Sequence, residues 1–378
     1  MTTPVKSRSS GTRLGDFLLV LLPLLPFLSG EIWIRWLGIL ALSLTGLALF
    51  IAFLRPLRAS PTKGIQYSLI ALLVVGIFST TTLQLQAINQ VVQIGLVVIA
   101  VRVVPVLPYT KKYARLTRLG CMFLSIFALV DLIGGFFVLG ANANLYGIFG
   151  FCWGALILTL YSSAGRGGVF RAGAAVAFPL LLIIFSGSRA SLLAAGAAVL
   201  WFSINRYIKA RGVKTFLSMA LISIPLVILV GINLDVFESF REILPTTGEK
   251  TTFSSRDVIW KNIFFEVVSN DYVGFGLGSS PANIQEAANE GLSAHNGFMQ
   301  VFYQFGAIGL LFYLSAFFLL LKAMRQRPDR GVSAAILVGG ITLEMFEVVM
   351  IQNHFGSGLF IFLLTLLNSS DAQLLQKK

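Results

Sequence analysis

Residues 33–54 read WIRWLGILALSLTGLALFIAFL, with Arg35 as the sole charge. An unbroken apolar run of this length matches the about 20 residues that a bilayer-crossing helix needs. Similar runs lie at 15–30, 65–83, 88–105, 119–140, 145–162, 169–186, 188–205, 215–233, 296–321, 332–351 and 355–368. The whole chain of 378 residues is 56 % hydrophobic and only 12 % charged. A soluble domain carries about 25 % charged residues. That composition excludes a soluble enzyme, a disordered chain and a collagen-like one. It predicts an all-α polytopic membrane protein with about twelve transmembrane helices. Lys6, Arg8 and Arg13 precede the first run, and no small-x-small cleavage site follows it, so that run is read as an uncleaved first span.

The net charge of +13 comes from 29 Lys+Arg against 16 Asp+Glu. If the runs cross the membrane in alternation, six of the 29 fall on one side: Arg35, Arg189, Arg241, Lys250, Arg256 and Lys261. The rest share the side of the N-terminus. Basic residues collect in cytoplasmic loops. Both termini are therefore expected in the cytoplasm, and the surplus of cations reflects topology rather than nucleic-acid binding. Cys121 and Cys152 form no CxxC pair and no Cys/His cluster, so neither a disulfide framework nor a metal site is expected.

Segment 234–294 is expected outside, with 1–233 as an N-terminal membrane bundle and 295–378 as the C-terminal membrane helices. This long loop holds nine of the sixteen acids. Within it, Val258, Ile259, Ile263, Phe264 and Val267 recur at helical spacing, which predicts an amphipathic helix started by Ser254 or Ser255, with Asp257 favoured by the helix dipole. Gly274-Phe275-Gly276-Leu277-Gly278 follows. Alternating glycines permit positive φ and close backbone approach. With no preceding strand, they do not make a dinucleotide site.

Arg189, Arg256 and His295 come from three separate places on the sparsely basic side. Arginine forks suit phosphate oxygens, and histidine is a general base near neutral pH. Two readings fit the arginines: a site for a phosphorylated, membrane-held donor, or pairing with the acids of the same side. His354 lies on that side too, in the turn Gln352-Asn353-His354. Asp131, Glu344 and Glu347 fall within apolar runs, where acids are costly and usually functional. Glu344 and Glu347 are three apart, which places them on one helix face.

His295-Asn296, then nine residues, Gly306, two residues and Gly309 fit the pattern H-[NSQ]-x9-G-x-x-[GTY]. With Ser255-Arg256-Asp257-x-x-Trp260, the glycine-rich segment and Ser188-Arg189-Ala190, the chain resembles the O-antigen ligase and O-antigen polymerase superfamily. By motif the resemblance covers roughly 180–320. It implies a membrane glycosyltransferase of the GT-C type in the bacterial inner membrane, with its active site facing the periplasm. Its donor would be a glycan on undecaprenyl pyrophosphate, and its acceptor a sugar hydroxyl of lipid A–core. It implies an inverting, metal-independent reaction without a cofactor. Arg189 and Arg256 would hold the pyrophosphate and His295 would activate the hydroxyl. Asn296, Asp257, His354, Glu344 and Glu347 are further candidates. A polymerase using a lipid-linked glycan as acceptor shares these features. A solute transporter is the alternative from another class, although its binding groups would lie near the bilayer midplane.

Overall fold

The computed structural model describes residues 8–54, 62–80, 85–139, 142–162, 168–207, 217, 220–221, 223–224, 256–279, 294–324, 330–349, 354–366 and 368–369. The described chain is helical. Its helices are α1 (Arg8–Leu21), α2 (Ile32–Phe53), α3 (Lys63–Ser79), α4 (Leu85–Val103), α5 (Lys111–Ile133), α6 (Ala143–Ser162), α7 (Gly168–Phe185), α8 (Arg189–Tyr207), α9 (Arg256–Ser269), α10 (Gly297–Met324), α11 (Arg330–Glu344) and α12 (Phe355–Leu366). Strands β1 (Pro108–Tyr109) and β2 (Asn368–Ser369) form a two-residue parallel pair. Among the described residues, five helices are long and apolar enough to cross a membrane: Ile32–Phe53, Leu85–Val103, Lys112–Ile133, Ala143–Tyr161 and Gly297–Met324. Five shorter apolar helices accompany them. Trp33, Phe78, Leu85 and Phe123 are more than two-thirds exposed, as lipid-facing side chains are. The run 215–233 and most of the segment 234–294 lie outside the described residues.

The first apolar run departs from a single spanning helix. After α1 the chain continues as a 3-10 helix over Leu22–Ser29. Pro23 and Pro26 fall within it, and proline removes the donor that an α-helix needs at each position. Neighbours fit closely around this thin segment. A Cβ on Gly38 of α2 would lie 2.2 Å from the Leu28 nitrogen, and one on Gly356 of α12 would lie 2.1 Å from the Leu25 oxygen. The Trp153 indole of α6 donates to the Pro23 carbonyl at 3.0 Å. Glycines permit similar closeness elsewhere, as small residues do between membrane helices. Gly150 of α6, for example, faces the Pro179 carbonyl of α7.

Asp131 is a structural acid. It is buried and accepts the backbone N–H groups of Val138 at 3.0 Å and Leu139 at 2.9 Å. The Tyr146 hydroxyl also donates to it. These bonds hold the connection between α5 and α6, so a buried acid in this span needs no transport role.

Helix α10 spans 28 residues in two helical pieces that meet at Gly306. It packs antiparallel to α3: Gly64 meets Leu319, and Gly76 meets Phe305. Because α3 ends at Ser79, the first turns of α10 stand beyond it. Helix α10 is broken at Gly306, where φ is +67°. The segment 272–279 docks into that break. Ala307 N–H donates to the Tyr272 carbonyl at 3.1 Å, and the N–H groups of Phe275 and Gly276 donate to Tyr303 and Gln304 at 2.9 Å. A Cβ on Gly274 would sit 2.3 Å from the Gln304 oxygen, and one on Gly306 2.3 Å from the Tyr272 oxygen. The glycines therefore allow two backbones to touch, without implying a ligand.

Candidate functional site

Helix α9 forms over Arg256–Ser269, on the segment where apolar spacing predicts one. Ile259, Trp260, Ile263 and Val267 are its buried stripe. The stripe lies along α10, with the Phe264 and Phe302 rings stacked at 6.2 Å. The Trp260 indole donates to the Ala294 carbonyl at 2.9 Å, which ties α9 to the residue before His295. Arg256 is one turn ahead of Trp260 on the same helix face. The side chains of Arg256 and Asp257 lie outside the described residues.

His295 is held on both sides. Ahead of it stands the bonded Ala294. Behind it, buried Asn296 caps α10: its Oδ1 accepts the N–H groups of Phe298 at 2.9 Å and Met299 at 3.1 Å. Asn296 thus acts as a helix cap. Between these anchors His295 adopts φ of +47°, a conformation rare for residues other than glycine. Its half-buried ring places Nδ1 3.6 Å from Glu347 Oε2. That is too long for a hydrogen bond, yet close enough for a carboxylate to stabilise an imidazolium.

Glu344 and Glu347 do not share a helix face, contrary to their spacing. Helix α11 ends at Glu344, and Glu347 lies in the turn beyond it. They do different things. Glu344 is fully buried, accepting the Tyr313 hydroxyl at 2.8 Å and the Val349 N–H at 2.9 Å. It lies against Gly297, the first residue of α10, where a Cβ would meet Glu344 Oε1 at 1.8 Å. Glu347 faces His295. His354 belongs to the same cluster: burial pushes its pKa below the ordinary histidine value, Glu347 opposes that, and His295 reinforces it. His354 is therefore neutral at neutral pH.

Arg189 opens α8 and is exposed. Buried Ser188 caps the helix, accepting the Ser191 N–H at 3.3 Å. Gly147 of α6 leaves room for the turn, since a Cβ there would lie 2.6 Å from that of Ser188. Helices α8 and α11 run antiparallel in fixed register: Gly331 lies opposite Phe202, and Gly339 opposite Ala194. Five residues further along each, about 7.5 Å, Arg189 comes level with Glu344. Arg189, the start of α9, His295 and both acids therefore gather at one end of the bundle.

Sequence reasoning missed the amides around the break in α10. Gln90, Gln300 and Gln304 are almost fully buried. Gln90 bonds to Gln304 and accepts the Gly278 N–H at 2.7 Å, while Gln304 donates to the Ser279 carbonyl at 2.8 Å. The available signal was glutamine recurring inside two apolar runs, at 90 and 93 and at 300 and 304. Among the described residues no three His, Cys, Asp or Glu side chains are grouped to hold a metal ion.

Residues 174–314 match the family model described as O-antigen ligase. This match supports a place in the O-antigen ligase and polymerase superfamily. No curated protein matches the chain. The matched stretch contains Arg189, Arg256 and His295, and ends before Glu344, Glu347 and His354. The match supports a ligase- or polymerase-type function in general, with a lipid-linked glycan and an acceptor as substrate classes. Together with the apolar helices, the match points to a bacterial membrane protein.

Proposed function

We propose that this protein is an inverting, metal-independent glycosyltransferase of the O-antigen ligase type, passing a glycan from undecaprenyl pyrophosphate to a sugar hydroxyl of lipid A–core. It lies in the inner membrane with both termini in the cytoplasm and its site toward the periplasm. The observation that carries the reading is His295, held between Ala294 and the Asn296 cap with Glu347 3.6 Å from its ring, inside the matched O-antigen ligase stretch. The acceptor oxygen attacks the anomeric carbon while its proton passes to His295. The bond to the pyrophosphate oxygen breaks, and the lipid pyrophosphate leaves with the electron pair. Glu347 stabilises the imidazolium formed in this step. Arg189 and Arg256 carry the charge developing on the leaving group.

Purified protein is given the undecaprenyl-pyrophosphate glycan with and without lipid A–core. Product that requires lipid A–core is expected. Lengthened chains on the carrier without it would make the protein a polymerase, and an intact donor in both would overturn the transferase reading. Arg256→Lys is expected to lower kcat/KM about tenfold or more, since a point charge does not replace a bidentate fork. Equal turnover by the lysine variant would refute the fork. Glu347→Gln is expected to lower kcat about tenfold or more with KM little changed, because it acts through His295. A pure KM effect would instead make Glu347 a substrate contact.

A further inference from the structure

A second feature, separate from the histidine cluster, lies along the other side of α9. Asn262 and Glu266 lie four residues apart on one edge of the helix, and Asn270, in the turn that follows, continues that edge with its N–H on the Glu266 carbonyl. With Phe265, Phe275 and Tyr303 they border a cavity of about 640 Å³, within the range of small-molecule sites. Phe275 stacks on Tyr303 with ring centroids 4.7 Å apart and remains 37 % exposed. The Tyr303 hydroxyl is hydrogen-bonded to Glu266. The Asn270 amide donates to the Val273 carbonyl at 3.0 Å, which steadies the turn that presents Phe275.

We propose that this groove binds the sugar chain of a substrate, on the reading of the protein as a glycan transferase. Its chemistry distinguishes a sugar from the other parts of a lipid-linked glycan. Among the described residues no cation lines it, which does not suit pyrophosphate. Two amides and a carboxylate along one edge do not suit an isoprenoid tail. Amide and carboxylate groups do bind hydroxyls in pairs, and the partly exposed Phe275 ring offers an apolar platform to the C–H face of a pyranose. The groove also lies where α3 has ended, next to the part of α10 that stands beyond it, and not among the buried spans. Tyr303 lies six residues into α10 from Gly297, about 9 Å along the helix from the end that follows His295, so a chain seated here extends away from the reacting bond.

The glycan belongs to the donor or to the acceptor, and kinetics separate the two. The probe is the oligosaccharide released from the lipid-linked donor by mild acid, titrated into the full-length protein in detergent and followed by saturation-transfer NMR. Asn262→Ala, an exposed position, and Phe275→Leu are each expected to weaken binding about tenfold, while His295→Ala binds as the wild type does. In turnover, the same variants are expected to raise KM for one substrate with kcat little changed. A rise for the donor assigns the groove to the donor glycan, and a rise for the acceptor assigns it to the acceptor. Wild-type affinity and KM in both variants would overturn the proposal, as would displacement of the oligosaccharide by undecaprenyl phosphate, which carries no sugar. Groove-dependent binding without transfer to any acceptor would leave the groove standing and remove the transferase reading.

Discussion

His295→Ala is expected to abolish glycan transfer, with kcat lowered about 10²- to 10⁴-fold, the range for loss of a general base. The variant should still insert and purify, because the bonds that hold this region come from Trp260 to the Ala294 carbonyl and from Asn296 to its own helix. His295→Asn makes the comparison sharper. Asparagine tolerates positive φ better than alanine does, so it preserves the backbone at +47° without a base. Loss in both variants assigns the effect to the imidazole. Recovery in His295→Asn would show that the conformation matters and the base does not.

The second large effect is expected at Gly297→Ala. The new methyl would meet Glu344 Oε1 at 1.8 Å and Cδ at 2.1 Å. Glu344 cannot retreat without abandoning the Tyr313 hydroxyl and the Val349 N–H. Overpacking typically costs about 1–3 kcal/mol, and loss of satisfied buried bonds adds to it. The thermal midpoint in detergent should fall by several degrees or more, and turnover should fall with it, since the start of α10 and the turn holding Glu347 would both move. Gly120→Ala in α5 is the control, because a Cβ there meets nothing within 4 Å. Equal stability of the two variants would remove the claim that α10 is seated on this carboxylate.

Much of the helical frame was legible because apolar runs have one solution in a bilayer: helices that satisfy their own backbone. His295 was legible from its company with Arg189 and Arg256 on the sparsely basic side, and from Asn296, Gly306 and Gly309 at the spacing of the family pattern. What the spacing of Glu344 and Glu347 could not show was that α11 stops between them, sending one acid into the core and the other toward His295. Periodicity assumes a continuing helix. Likewise Pro23 and Pro26 were visible, but their consequence was not: a 3-10 segment around which α2, α6 and α12 close. Asp131 looked like a functional acid because sequence counts a buried charge without counting its donors. The bonds to Val138, Leu139 and Tyr146 depend on how the chain folds back after α5. The glutamines were visible as letters, but their partners lie about two hundred positions away in the chain.

Those distant partners constrain the order in which a ribosome can complete this molecule. Gln90 and the end of α3 enter the membrane early, yet their mates arrive only with Leu277, Gly278 and Gln304. A nascent chain halted near residue 250 would hold the Gln90 amide with neither Gly278 nor Gln304 yet made, a state that invites water, lipid headgroups or a chaperone. Synthesis of 272–306 relieves it in a single docking step, and the same step brings His295 to Glu347 only after the last helices have followed. The protein therefore acquires its chemistry at the close of translation, and C-terminal truncations should yield membrane-embedded chains that lack the finished site.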